Sequence, residues 1–116
     1  MLLGVEPVNY AVTLFPGFQA LDAFGPLDAL NILSRSRGIN LSLISQTLDP
    51  VSTRIPEVDK PSVNSNFHES VVPTHTYDNP PADIDVLIVP GGRGTLDKVS
   101  IEPVIKFVAA TYPRVG

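Results

Sequence analysis

Three residues of this chain, Asp22, Gly91 and Gly92, have the types and positions from which a small-molecule site can be built. Asp22 follows an apolar run that breaks at a Phe-Pro-Gly turn, residues 15–17. A carboxylate there can accept or donate a proton. The two glycines follow a second apolar run, residues 85–89. Because they lack side chains, their N–H groups can approach an anionic centre closely, as an oxyanion hole requires.

Each of these residues also has a purely structural interpretation, which stays open at this point. A carboxylate near a helix N-terminus is stabilised by the helix dipole, so Asp22 could serve only as a capping group. Pro-Gly-Gly forms a tight turn in which glycine supplies a positive φ. We expect the turn in any case, and it does not exclude a role for the glycine amides.

Further candidates flank these residues. Phe18 and Gly25 near Asp22, and Arg93 and Thr95 beyond Gly92, are candidates for the lining of a pocket. Arg93 either pairs with an acid or faces water, and we favour water.

The remaining polar residues give weaker signals. His68 and His75 lie in a loop-rich region without a matching acid and nucleophile, so we expect surface or hairpin positions for them. Asp83 and Asp85 precede a strand at its amino end and are expected to be solvated. The sequence contains no Gly-x-Ser-x-Gly element, glycine-rich phosphate loop, metal-ligand cluster or nucleic-acid module.

The elements that must position these residues follow from hydrophobic periodicity. Apolar runs predict strands at 9–15, 39–45 and 85–89. Spacings of three and four predict one helix from Leu21, with Pro26 in its first turn and Arg35, Arg37 and Gly38 at its end. A second helix is predicted to start at Ser100, with Glu102 and Pro103 in its first turn, and to end before Pro113. Short edge strands, possibly a hairpin, are predicted at 51–54 and 67–72.

This order predicts an α/β fold with a right-handed parallel crossover. The loops after parallel strands meet at the carboxyl edge of the sheet, where such folds bind ligands. The last helix needs a following strand to cover its apolar face. We therefore expect residues 1–116 to be the N-terminal part of one larger α/β domain, with 1–8 as an extension. A complete small three-layer domain is the alternative.

Composition narrows the class of protein. The 116 residues are 43% hydrophobic and 17% charged, with a net charge of −4 and no cysteine. The charge gives no support for nucleic-acid binding, and the missing thiols exclude disulfides within this chain. No apolar run has the ~18 residues of a membrane span, and residues 1–6 lack the charged and apolar regions typical of a signal peptide. We expect a cytoplasmic protein that binds neither membrane nor nucleic acid.

The motifs around residues 15–26 and 85–92 resemble the ThiJ/PfpI superfamily, and most closely its isonitrile hydratase branch. The first contains Leu-Asp-x-x-Gly-Pro, which is fairly specific to that branch; the second ends in Pro-Gly-Gly, which the superfamily shares. The resemblance covers roughly residues 9–116. It implies a flavodoxin-like three-layer sandwich with a mostly parallel sheet, and a nucleophilic cysteine on a sharp turn after the next strand. Asp22 matches that cysteine's acidic partner, Gly92 a backbone donor of an oxyanion-type pocket, and Gly91 shapes the turn.

The resemblance also implies an activity and partners. The cysteine of an isonitrile hydratase attacks the isonitrile carbon of a small-molecule substrate, and an N-substituted formamide results without metal or cofactor. The cysteine would lie beyond Gly116, so we expect a C-terminal half, either as a second chain or simply missing from this sequence; a naturally short, inactive relative is the alternative. Family members usually dimerise, which favours a homodimer. Rival functions are a ligand-sensing regulatory domain and a glyoxalase or chaperone-like stress protein.

Overall fold

The computed structural model describes residues 6–56 and 65–114, which form short strands and two α-helices. In chain order these are β1 (Asn9–Thr13), α1 (Ala20–Leu33), β2 (Asn40–Ser45), β3 (Val51–Ser52), β4 (Ser70–Val71), β5 (His75–Thr76), β6 (Val86–Ile88) and α2 (Lys98–Thr111). Short 3-10 turns cover Arg93–Leu96 and Tyr112–Arg114. The sequence predicts the start of another strand at residues 114–116; Arg114 instead belongs to the second of these 3-10 turns, and Val115 and Gly116 lie outside the described residues.

Four of the strands form one parallel sheet in the order β5-β2-β1-β6. In the central strand β1, Tyr10 is aligned with Leu41 of β2 on one side and with Val86 of β6 on the other. β3 and β4 form a separate antiparallel hairpin. The predicted α/β class and mostly parallel sheet are therefore confirmed, and the arrangement is that of a flavodoxin-like fragment.

The two helices cover opposite faces of the sheet. Successive residues of a strand point to opposite faces, and Ala11 packs with Ile44 and Phe107 of α2. Val12 packs with Ala23 of α1 in a larger cluster, which also takes in Val104. The continuous apolar run of β1 is explained by this burial on both faces.

α1 begins and ends earlier than the sequence predicts. It starts at Ala20, so Pro26 lies inside the helix rather than in its first turn. It ends at Leu33, and its last turn contains no basic residue. Arg37 instead forms an ion pair with Glu6, at 2.8 Å. The start is held by a tertiary contact that periodicity does not reveal, from the N–H of Gln19 to the carbonyl of Gly91, whereas at the end the Ser34 hydroxyl donates to the carbonyl of Asn31, at 2.6 Å.

α2 begins before Ser100 because Asp97 is its N-cap. The Asp97 carboxylate accepts a hydrogen bond from the N–H of Val99, at 3.4 Å, and another from the Ser100 hydroxyl, at 2.6 Å. The helix ends at Thr111, before Pro113 as predicted. Neither α1 nor α2, the two α-helices among residues 6–56 and 65–114, has the length and apolarity needed to cross a membrane.

The loop-rich middle contains one strand that the sequence does not indicate, β5. The predicted hairpin is present, but its strands are only two residues each. β5 was not predicted; it adds a parallel edge to β2 through Ile44 and His75. Much of the predicted excursion at 55–65 lies outside the described residues.

The prediction that Asp83 and Asp85 are both simply solvated is wrong for Asp85. Its carboxylate accepts hydrogen bonds from the N–H groups of Val8, at 3.0 Å, and Asn9, at 2.8 Å. These bonds, chiefly the one from Asn9, lower the pKa of the Asp85 carboxyl below its ordinary value. Asp85 therefore fixes the start of β1 beside the start of β6.

Candidate functional site

The loops after β1 and β6 lie side by side at the carboxyl edge of the sheet. β1 stands between β2, which follows it through α1, and β6, which precedes α2. Chain connections diverge to the two sides at this point, and open α/β sheets bind ligands at such switch points. The loop after β1 contains residues 14–19, and the loop after β6 contains residues 89–92.

The loop after β1 is fixed by burial of its aromatic residues. Phe15 and Phe18 are each only 1% exposed, and the N–H of Phe18 donates to the carbonyl of Phe15, at 3.1 Å. Gly17 has φ +80°, and a Cβ there would lie 2.9 Å from the Cα of Gly94. Only glycine at position 17 therefore permits the loop after β1 to approach Gly94 this closely.

Asp22 and Gly91 are in direct contact, although 69 residues separate them in sequence. The Gly91 N–H donates to Oδ2 of Asp22 at 3.0 Å. The carbonyl of Gly91 accepts the N–H of Gln19, at 2.8 Å. Asp22 lies in the first turn of α1, and Gln19 is its N-cap without a side-chain cap. Gly91 thus joins the start of α1 to the loop after β6.

Gly92 presents its backbone at the same place. Its φ is +129°, and a Cβ there would lie 2.6 Å from both the nitrogen of Gln19 and the carbonyl oxygen of Gly17. Its carbonyl accepts bonds from the N–H and the hydroxyl of Thr95, the latter at 2.8 Å. Its own N–H has no hydrogen-bond acceptor within the described part of the chain. This unpaired amide follows directly on the Gly91 amide that binds Asp22, and an N–H without an acceptor can bind an anionic group.

The other predicted pocket residues have mixed positions. Phe18 is part of the buried core and stacks edge-on against Phe24, with ring centroids 6.2 Å apart. Gly25 is exposed on α1. The Arg93 side chain is exposed and contacts no charged partner among residues 6–56 and 65–114, which agrees with the expectation that it faces water. Thr95 supports the loop through Gly92.

Two backbone groups at the site were missed by sequence reasoning. The N–H of Gln19 binds Gly91, and the carbonyl of Ser52 in the hairpin accepts the N–H of Gly17, at 2.9 Å. Every residue has a backbone carbonyl and every non-proline residue has an N–H. No sequence signal could therefore have identified these two groups.

Each of the two histidines is paired with a hydroxyl group, and neither takes part in the contact between Asp22 and Gly91. Nδ1 of His68 is 3.2 Å from the Ser52 hydroxyl, and Nδ1 of His75 is 2.8 Å from the Thr74 hydroxyl. Within the described ranges, no group of three or more His, Cys, Asp or Glu residues is arranged to hold a metal ion.

Asp22, Gly91 and Gly92 do not line the following three surface cavities of the described residues. The two larger ones, of about 440 and 390 Å³, lie beside α2. The third, of about 150 Å³, lies between α1 and the amino ends of β1 and β2.

Comparison with known proteins places the chain among proteins of this architecture. A profile of the DJ-1/PfpI family matches residues 9–114. A ThiJ/PfpI family protein from Pseudomonas syringae has a similar structure, with a TM-score of 0.71 and 28% identity over 96% of this chain and 40% of its own length. A DJ-1 superfamily protein from Agrobacterium tumefaciens has a TM-score of 0.52 and 24% identity over 89% of this chain and 48% of its own. This chain thus spans less than half the length of both. No curated protein sequence matches it.

Proposed function

The chain belongs to the DJ-1/PfpI family, and from that premise we propose that it is the N-terminal part of an isonitrile hydratase-like enzyme. The observation that carries the proposal is the hydrogen bond between the Gly91 N–H and Asp22 at the carboxyl edge of the sheet, with Gly92 next in the chain. An acid–base group and, one residue from its hydrogen-bond partner, an unpaired amide are two of the three parts that the reaction needs. The third part, a thiolate, is absent from this chain, which contains no cysteine.

The proposed chemistry assigns one task to each part. A cysteine thiolate, supplied by the rest of the domain, adds to the terminal carbon of the isonitrile. Asp22 helps to deliver a proton to that carbon, giving a thioimidate. Water then adds to the same carbon, the nitrogen gains a proton and the thiolate leaves, giving an N-substituted formamide. The Gly92 N–H stabilises the negative charge that develops during these additions.

Replacement of Asp22 tests the proposal in the intact protein. Asp22→Asn keeps the size and an acceptor oxygen but cannot exchange a proton, so we expect turnover of an alkyl isonitrile to fall by roughly 10²-fold or more. Formamide production, followed by chromatography or NMR, is the measurement. Asp28→Asn is the matched control, because Asp28 is an exposed carboxylate on the same helix.

The outcomes separate the competing functions. Unchanged turnover in Asp22→Asn removes Asp22 from the mechanism. An intact protein that binds isonitriles without converting them supports a ligand-sensing domain instead. Turnover of a 2-oxoaldehyde with no reaction on isonitriles supports the glyoxalase-type alternative.

We also propose that a C-terminal half completes the sheet beside β6. Among the described strands β6 pairs only with β1, so its other edge is open. Leu96 and Val99, beyond this strand, are 67% and 82% exposed. Parallel sheets are normally covered on both faces and extended by further crossovers. Intact-mass analysis of the purified protein, which should contain a partner polypeptide or a longer chain, tests this; we expect the completed protomers to form a homodimer.

A further inference from the structure

The start of α1 is capped by a residue from a distant loop. In an ordinary capping box, the third helical residue accepts the N–H of the N-cap residue, and the N-cap side chain accepts an N–H in return. Here the N-cap Gln19 has no side-chain cap, and its N–H donates to the carbonyl of Gly91 at 2.8 Å. The third helical residue, Asp22, accepts the N–H of the same Gly91 at 3.0 Å. Gly91 thus binds both Gln19 and Asp22. These two bonds replace the direct hydrogen bond that joins the corresponding residues of a capping box.

This contact fixes more than the helix end. Gly92 is covalently joined to Gly91, and its α-carbon lies so close to Gln19 and Gly17 that a Cβ would overlap their backbone atoms at 2.6 Å. The Gly92 N–H belongs to the same planar peptide unit as the Gly91 carbonyl, so its direction depends on both bonds that hold Gly91: the one that this carbonyl accepts from Gln19 and the one that the Gly91 N–H donates to Asp22. Oδ2 of Asp22 is the only side-chain atom of the described residues that binds the Gly91 N–H.

We infer that the Asp22 carboxylate has two separate tasks, in which Oδ2 holds Gly91 and thereby aims the Gly92 amide, and Oδ1 serves the reacting molecule. Oδ1 makes no hydrogen bond to any described residue. Asp22 is exposed, so that oxygen is accessible. The second task rests on the proposed function, whereas the first rests on the contact alone. Asp22 is thus a positioning residue for Gly92 in addition to its proposed proton transfer.

Variants of Asp22 can separate the two tasks. Asp22→Asn retains an oxygen that accepts the Gly91 N–H, whereas Asp22→Ala retains none. In the intact protein we expect amide hydrogen exchange at Gly91 to be about tenfold faster in Asp22→Ala and within about threefold of wild type in Asp22→Asn. Both variants lose turnover, but the loss is larger in Asp22→Ala because the Gly92 amide is also misplaced.

A second carboxylate in the chain provides the control. Asp85 holds the N–H groups of Val8 and Asn9 at the opposite edge of the sheet. Asp85→Ala should speed exchange at Val8 and Asn9 and leave Gly91 unchanged, whereas Asp22→Ala should do the reverse. This reciprocal pattern distinguishes a local contact from general loosening of the fold.

The exchange data stand apart from activity. Equal Gly91 exchange in Asp22→Ala and wild type overturns the positioning task. If Asp22→Ala does not fold, Asp22→Leu, which has a similar size and also lacks an acceptor oxygen, takes its place, and equal Gly91 exchange in that variant and wild type overturns the positioning task. Unchanged turnover in Asp22→Asn, with Gly91 exchange as expected, refutes the proton-transfer task alone and leaves the positioning task supported.

Discussion

Gly92 shows how one backbone conformation can make a site depend on a single residue type. Its φ of +129° lies in a region that side chains rarely adopt, and the space beside its α-carbon is filled by the backbone of Gly17, Phe18 and Gln19. Flexible side chains could move aside, but these are backbone atoms of a turn with a buried core beneath it. Glycine is therefore required here by both strain and space.

Replacing this glycine should destabilise the protein. We expect Gly92→Ala to lower the free energy of unfolding by roughly 2–4 kcal/mol, since it combines an unfavourable φ with a backbone clash. Denaturant unfolding followed by circular dichroism measures the change. Gly38→Ala is the control, because nothing lies within 4 Å of a Cβ at Gly38; it should be neutral or slightly stabilising. Equal stability of the two variants would contradict the strained geometry.

At the scale of elements, side chains from outside β1 fix both of its ends. Asp85 accepts the N–H groups of Val8 and Asn9 at its start. Beyond its other end, the carbonyl of Leu14 accepts hydrogen bonds from the hydroxyls of Tyr77, at 3.0 Å, and Ser45, at 3.1 Å. The strand that carries the first loop of the site is thereby held in register with both neighbours.

The Asp85 contact predicts a dependence of stability on acid. Hydrogen bonds lower its pKa in the folded state, so the folded protein binds this proton less readily than the unfolded chain. The stabilisation is present above the unfolded pKa of about 4 and is lost as the pH falls through the folded pKa. We expect Asp85→Asn to weaken the decline in unfolding free energy below about pH 4. An identical acid profile for variant and wild type would contradict this role.

Tyr77 predicts the opposite dependence at alkaline pH. Burial raises the pKa of its phenol above the ordinary value, so the folded protein retains this proton longer than the unfolded chain. Its stabilisation is present below about pH 10 and declines as the pH rises further. Tyr77→Phe should cost about 1 kcal/mol at neutral pH through the lost bond to Leu14. It should also flatten the alkaline decline, which unfolding curves between pH 8 and 11 would reveal.

At the scale of the whole molecule, the described residues form a three-layer fragment in which one edge of β6 is unpaired. The sheet ends at β6, and large apolar side chains beyond it and on α2 are exposed, including Val99 at 82% and Ile105 at 60%. Exposed apolar side chains beside an unpaired strand favour association with another chain. The proposed C-terminal half accounts for both features.

This arrangement predicts different behaviour for the fragment and the intact protein. Residues 1–116 expressed alone should self-associate and bind a hydrophobic dye, whereas the intact protein should form a defined oligomer without dye binding. Light scattering and dye fluorescence measure this. Lysine at both Val99 and Ile105 should reduce association of the fragment more than Leu48→Lys, since Leu48 is exposed away from β6. A monodisperse, dye-free fragment would contradict the proposal.

The sequence alone was sufficient for the features that depend on local patterns. Apolar runs predicted β1, β2 and β6, and three-to-four spacing predicted both helices, because burial on a sheet imposes these periods. The Leu-Asp-x-x-Gly-Pro and Pro-Gly-Gly motifs indicated the family and the candidate residues. Short elements were less accessible: β5 has two residues, and its existence depends on the edge of β2 rather than on its own composition.

Only the tertiary structure decided how the candidate residues meet. The sequence placed Asp22 and Gly91 at the same edge of a sheet, but the hydrogen bond between them spans 69 residues and uses a backbone N–H that every non-proline residue possesses. The contact between Gln19 and Gly91 also joins distant parts of the chain through backbone groups alone. The packing of these loops likewise decides that the N–H of Gly91 is hydrogen-bonded and that of Gly92 is unpaired among the described residues. Hydrophobic patterns fix which residues are buried, whereas the aim of individual backbone amides depends on how distant loops pack together.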